Sequence, residues 1–466
     1  MSESIQSLGW EDVFLCYPIF DNICAHLDPQ DILFLRLTTK KLSPSFESLF
    51  NTQWNINRQL TRFVNDPVDF RSKLAKHDAL ISGSFALQFF ERRFWHDSDL
   101  DIYVDGSNDL RSPDPIGEYL VQREGYKLRS TKTEEDSDSI VHGYANRIEH
   151  ILQIKTYHRR CSGKKMPNQV QIIYTMNTPL QAIVAGFHHT LVMNFISWDF
   201  AYSLFPDLNF IKKTAYEING DNINAESGDD YDPKAKYTRR GWNFEKAAAR
   251  GDTKNLHSLQ LSGRRRIGDS YTWSIALDTN GITPGQPTPV LQHSFFKVEE
   301  LGGGEEPGSY IVHMQILKAC VLRYQYTTSI KNYDRFAFWA SVQRKLDSLT
   351  HSQLLKYHWT ERPLRIHRMD EVNLRYVDIA NEMEGQEPEG WTFYDDQIST
   401  WYDHYLKDEA QRFNSEKEKG QRVQAELEHH ITNELKMLVF EQDKVVREQA
   451  DLGLHLREEV EGREGD

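Results

Sequence analysis

Gly83-Ser84 and, further along, Asp99 and Asp101 are the residues whose types and spacing could do chemistry. Two carboxylates separated by one residue on a strand project from the same face, because side chains alternate there with a period of two. Such a pair can hold a divalent cation against a polyphosphate. A Gly-Ser turn that opens a helix supplies the other half: glycine lets the backbone approach closely, and the amides at Ser84 and the helix start face an anion with the favourable end of the helix dipole. The chemistry this would support is nucleotidyl transfer. Asp99 and Asp101 would bind Mg²⁺, Gly83 and Ser84 would steady a nucleoside triphosphate (NTP), and the metal would offset developing charge.

Elements must bring these residues together, and the local patterns predict them. Leu80 and Ile81 end a short strand, Phe85 to Trp95 is an apolar helical stretch, and Asp99 to Val104 alternates as a strand with Leu100, Ile102 and Val104 towards the core. Further strands are expected at Ile148 to Tyr157 and Val170 to Thr175, joined by the polar loop RRCSGKKMPN, with a buried, mainly helical segment FHHTLVMNFISWDFAYSLFP after them. Asp97 and Asp105 share the parity of the central pair and are expected as solvated turn residues. Lys155, Arg159 and Arg160 on a strand, and Arg92 and Arg93 on a helix, are the nearest cations for a triphosphate. His188-His189 is assigned to packing, since adjacent residues on a helix do not share a face.

The order strand, Gly-Ser, helix, then a strand carrying Asp-x-Asp among aliphatics resembles the nucleotidyltransferase superfamily that includes polymerase beta, poly(A) polymerases and aminoglycoside nucleotidyltransferases. The resemblance covers roughly residues 74–215, and the 14 residues from Phe85 to Ser98 form a slightly long version of the family's spacer. It implies an α/β domain with a mixed sheet, Mg²⁺ and NTP as cofactor and substrate, Asp99 and Asp101 as metal-binding catalytic residues, and a third carboxylate on a later strand. In VQIIYT the matching position is Gln171, with Glu149 of RIEHILQIKTY as the fallback if the register differs. Glutamine is neutral, a poor metal ligand and unable to act as a general base. The expected consequence is a degenerate site.

Apolar residues at helical spacing occupy the N-terminus: Leu15, Ile19, Ile23 and Leu27, then Ile32, Leu35 and Leu42 beyond a break at Asp28-Pro29. Proline ends the first helix, and Asp31 is expected to cap the second. A helical unit of fewer than about 50 residues needs a partner surface to bury such a stripe. LCYPIFDNICAHLDPQDILFLRLTTKKL resembles an F-box, the helical motif that docks on the Skp-type subunit of cullin-RING ubiquitin ligases. The resemblance assigns the interface to Leu15, Ile19, Ile23, Leu27, Pro29, Ile32 and Leu33; Cys16 stands where the family usually has proline, and Pro18 where it has an acidic residue.

The rest of the chain is less informative. Residues 218–237 are polar and acidic and read as a linker; 238–400 mixes Gly/Pro-rich loops with expected helices such as ILKACVLRY; FEKAAARGDTKNL resembles one ankyrin helix without a second copy at the repeat period. From 404 to 460 glycine and proline nearly vanish, and a long charged helix or short coiled coil is expected. MNFISWDFAYSLFP and KYTRRGW resemble segments of fungal proteins that pair an F-box-like unit with a nucleotidyltransferase-like domain.

A chain of 466 residues has room for several domains, and 39% hydrophobic with 12% aromatic residues is enough for sizeable cores. A net charge of −14 argues against a protein that coats nucleic acid by bulk attraction. Cys16, Cys24, Cys161 and Cys320 show no C-x-x-C spacing, no secretory leader is evident, and no stretch approaches about 18 consecutive apolar residues, so no membrane association and a cytoplasmic or nuclear location are expected. The combined expectation is an α+β multidomain protein: an F-box-like unit at 12–60, a nucleotidyltransferase-like domain at 74–215, and a C-terminal region. Its expected function is that of a substrate adaptor of a cullin-RING ligase, with a Skp-type subunit and a target protein as partners. The alternative is an active Mg²⁺-dependent nucleotidyltransferase moving NMP from NTP to RNA, protein or a small molecule.

Overall fold

The computed structural model describes residues 9–106, 114–133, 151–160, 168–218, 233–245, 263–301, 309–329, 338–358 and 387–417. The N-terminal helices are α1 (Trp10–Leu15), α2 (Tyr17–Ala25), α3 (Pro29–Thr38), α4 (Ser43–Thr52), α5 (Ile56–Leu60) and α6 (Pro67–Lys76). Pro29 starts α3 where its missing N–H costs nothing. The cap is Asp28 rather than Asp31; Asp31 sits one turn in, and its carboxylate accepts from the Asp28 N–H at 3.3 Å. The helix begins earlier than expected because proline fixes φ at a helical value.

The chain then runs through β1 (Leu80–Ser82), α7 (Gly83–Glu91), β2 (Leu100–Asp105), α8 (Pro115–Gln122), β3 (Lys127–Thr133), β4 (Ile151–Arg159), β5 (Asn168–Thr175), α9 (Pro179–Gly186), β6 (Asn194–Ile196), β7 (Phe200–Ser203), β8 (Thr214–Tyr216), α10 (Pro233–Thr238) and β9 (Asn243–Glu245). It continues with β10 (Gly263–Arg266), β11 (Trp273–Ala276), α11 (Thr288–Gln292), β12 (Phe295–Leu301), β13 (Ser309–His313), β14 (Gln315–Leu317), β15 (Tyr326–Thr328), α12 (Phe338–Leu354) and α13 (Ile398–Lys417). The architecture is mixed α+β around one large mixed sheet of order β11-β7-β6-β1-β2-β5-β4-β3. Only the β2–β5 pair in that sheet is parallel. β11 comes from far downstream and completes one edge by pairing with β7. Among the described residues no helix is long and apolar enough to cross a membrane.

Alternation along the central strands feeds two cores. Ile81, Leu100, Ile102, Val170 and Ile172 pack with the N-terminal helices and α7, while Leu80, Tyr103, Ile173, Phe195 and Tyr202 pack with α9 on the other face. The face that carries Asp99 and Asp101 is therefore covered one layer further along the strand.

Two expected helices do not form: the first is a strand hairpin, and the second supplies only the end of one strand, Ile316 and Leu317 of β14, before turn and loop. FHHTLVMNFISWDFAYSLFP folds as the β6–β7 hairpin, its turn fixed by Ser197, whose hydroxyl donates to Asp199 Oδ1 at 2.7 Å and accepts from the Phe200 N–H at 3.1 Å. ILKACVLRY contributes to the β14–β15 pair. Both were apolar on either side, and a continuous apolar run does not separate a buried strand from a buried helix. Met1–Ile398 form one compact unit and Ser399–Asp466 a second. Of the long helix expected at 404–460, residues as far as Lys417 are helical and the rest lies outside the described residues, as do 219–232 of the expected linker.

Candidate functional site

The β1–α7 turn places Gly83 and Ser84 beside the β2 carboxylates. Gly83 has φ +66°, and a Cβ added to it would lie 2.2 Å from Asp101 Oδ2. Only glycine allows both this left-handed backbone and that approach. Asp101 is registered against Ser82 on β1 and Gln171 on β5, and Gln171 against Thr156 on β4. A polar row thus crosses four strands, followed by the apolar row Leu80, Tyr103, Ile173 and Ile154.

Gln171 is registered against Asp101, and it is not the only glutamine beside the carboxylates. Gln169 Nε2 donates to Asp99 Oδ2 at 2.7 Å, Gln171 Nε2 reaches the same oxygen at 3.4 Å, and Gln169 Oε1 pairs with His158 Nε2 at 2.6 Å. Glu149 lies outside the described residues. Burial is the main cause that raises the carboxyl pKa of Asp99, against the opposing charge of Lys236 and His158 and the Gln169 hydrogen bond. Asp101 is pushed up to about 7 by burial and by the Asp99 charge, with Lys236 opposing. The pair behaves as two like charges withdrawn from water, each disfavouring the other's ionisation.

The side chain of Ser84 is turned into the protein. Its hydroxyl lies 2.7 Å from that of Ser98, to which Gln88 Nε2 also donates at 2.6 Å, so it belongs to a buried network inside the spacer. The expected triphosphate cations are engaged elsewhere. Lys155 bonds Asp114 at 3.3 Å, Arg159 bonds Glu124 at 3.1 Å, and Arg93 bonds Asp28 at 2.6 Å. Arg92 donates to the Cys24 carbonyl at 2.7 Å and to Leu27 O and Gln53 Oε1, while Arg160 is exposed. Asp97 is exposed as expected but carries an ion pair with Arg240, and His189 packs edge-on against Phe244.

A resident Mg²⁺ can be tested against these donors. The two carboxylates are joined by amides whose N–H groups point at Asp99, and among the described residues no group of three or more His, Cys, Asp or Glu side chains could hold a metal ion. A hard dication takes oxygen ligands, and an N–H directed at the carboxylate competes with it for the same lone pair. These donors do not fit the metal that the family resemblance implies. Sequence reasoning missed Gln169, although it shares the parity of Gln171, and it missed Lys236 and Arg240, which no local pattern ties to β2.

The N-terminal helices form the second candidate site. Their inward face is Phe20, Cys24 and Ile32, closed by Leu42, Phe46 and Leu49, with the Phe20 and Phe46 rings edge-to-face at 4.9 Å. Of the expected interface, Leu15, Ile19 and Leu33 are exposed, Ile23 and Leu27 are half-buried, and Pro29 and Ile32 are buried. Pro29 and Ile32 are thus buried rather than presented at the surface, Ile32 lying in the same core as Phe20, Leu42 and Phe46. Trp10, Val13, Phe34 and Leu37 join the exposed side, with Leu37 at 62% and Trp10 at 54% exposure. No family model, curated protein or solved structure matches the chain.

Proposed function

We propose that this chain is an F-box-type interaction protein, a substrate adaptor that docks on the Skp-type subunit of a cullin-RING ubiquitin ligase and carries a degenerate nucleotidyltransferase-like domain. The observation that carries the reading is the exposed apolar side of α1–α3: Trp10, Val13, Leu15, Ile19, Leu33, Phe34 and Leu37. Seven large apolar side chains left in water within one short helical segment favour an interaction surface over scattered exposure. The remaining surface of the first compact unit is left for the target protein. Capture of a purified Skp-type subunit by the intact chain tests the docking. Leu15→Asp with Ile19→Asp is expected to abolish capture without lowering the melting temperature, since both side chains are already exposed; no capture by the wild type would sink the proposal.

The transferase alternative draws support from the Asp99–Asp101 pair packed on Gly83. It lacks a third carboxylate among the described residues, where Gln171 faces Asp101. Removing one member of a cooperating catalytic set typically costs orders of magnitude in rate. Incubation with Mg²⁺ and each labelled NTP should leave every acceptor unlabelled; Asp101-dependent labelling would restore the alternative.

A further inference from the structure

β3 is the last strand of the large sheet, and among the described residues no strand pairs with its outer side. Such an edge presents a row of backbone N–H and C=O groups to any extended chain. The register against β4 sorts its side chains onto two faces. Lys127, Ser130 and Lys132 lie opposite His158, Thr156 and Ile154, on the face that carries Asp101 and Gln171. Arg129 sits in a bulge between Leu128 and Ser130, and its guanidinium lies 3.2 Å from the His158 ring, so it joins the two lysines. Leu128 and Thr131 lie opposite Tyr157 and Lys155, on the other face. The chain has a net charge of −14, yet β3 holds three cations and no acid before the acidic run that begins at Glu134. Cations on an edge strand also serve to keep copies of a chain apart. Leu128, 51% exposed between two of them, works against that end and favours a partner.

We propose that β3 is where an extended acidic segment of another protein adds to the sheet, its acidic side chains alternating with apolar ones. Acidic residues at every second position would meet Lys127, Arg129 and Lys132, and the residues between them would cover Leu128 and Thr131. A second copy of β3 does not fit, because like charges would face each other across the pair. The inference rests on the adaptor reading and names the class of segment by which a target would be held.

The probe is a fluorescein-labelled peptide, matched to the seven residues of β3, in which glutamate and valine alternate; its anisotropy is followed as the full chain is added. Saturable binding is expected below about 1 mM, and Lys127→Glu with Lys132→Glu should weaken it at least roughly tenfold, since two attractive contacts become repulsive. The same peptide N-methylated at every amide keeps its charge, loses its backbone donors and should not bind. A peptide alternating lysine with valine should not bind either. Glu134→Gln with Glu135→Gln and Asp136→Asn removes charge of the probe's own sign and should leave binding as tight or tighter. No saturable binding, binding untouched by N-methylation, equal binding of the lysine peptide, or weaker binding to the neutralised chain would overturn the proposal. If the double charge reversal does not fold, the wild-type chain and the three peptides still decide. Capture of a Skp-type subunit depends on α1–α3 and not on β3, so the two experiments fail independently.

Discussion

Gly83 and Asp101 are a coupled pair at the residue scale. Gly83→Ala would combine a left-handed backbone with a Cβ 2.2 Å from the Asp101 carboxylate, and a loss of about 1–3 kcal/mol is expected in urea unfolding. Asp101→Ala introduced beside it should return part of that loss, which a double-mutant cycle reads directly. Asp101 also sets a pH dependence. Its folded pKa, about 7, lies above the unfolded value of 3.8, so the folded state holds the proton more tightly. The contribution of Asp101 to stability is then fully present below about pH 4, is lost as the pH rises through about 7, and levels off above it. Asp101→Asn should flatten that slope in pH-dependent melts and raise the melting temperature at pH 7 by about 2–4 °C for each kcal/mol recovered.

At the scale of elements, Arg92 closes the seam between the N-terminal helices and the sheet domain. It stands at φ 55° just past α7 and donates to the carbonyls of Cys24 and Leu27 and to Gln53. Arg92→Met keeps the aliphatic stem but leaves those acceptors without a donor, and a loss of about 2–4 kcal/mol is expected, with faster amide exchange in α2 and α3. How readily such elements show in the sequence depends on their surroundings. β1, α7, β2, β4 and β5 were legible because Gly83, the Asp-x-Asp alternation and the polar loops punctuate them. β6 and β7 were not, since both faces are covered and the period vanishes in a continuous apolar run. The carboxylates and Gln171 were legible through strand parity and register. Arg240 was not, because its ion pair with Asp97 is a tertiary event between residues far apart in the chain.

On the scale of the whole molecule, the exposed side of α1–α3 should be nearly silent in folding and decisive in association. Leu37→Lys is expected to change stability by less than about 0.5 kcal/mol, as surface substitutions do, and to weaken capture of the Skp-type subunit measurably. One further consequence follows from Arg92. α7 has nine residues, so at 1.5 Å per residue about 13 Å separates the bolt at its C-terminal end from Gly83 at its N-terminal end. A short, stiff lever joins the N-terminal helices to Gly83 and the Asp101 carboxylate packed on it. Whatever binds the N-terminal helices is therefore held at a fixed distance and bearing from the sheet.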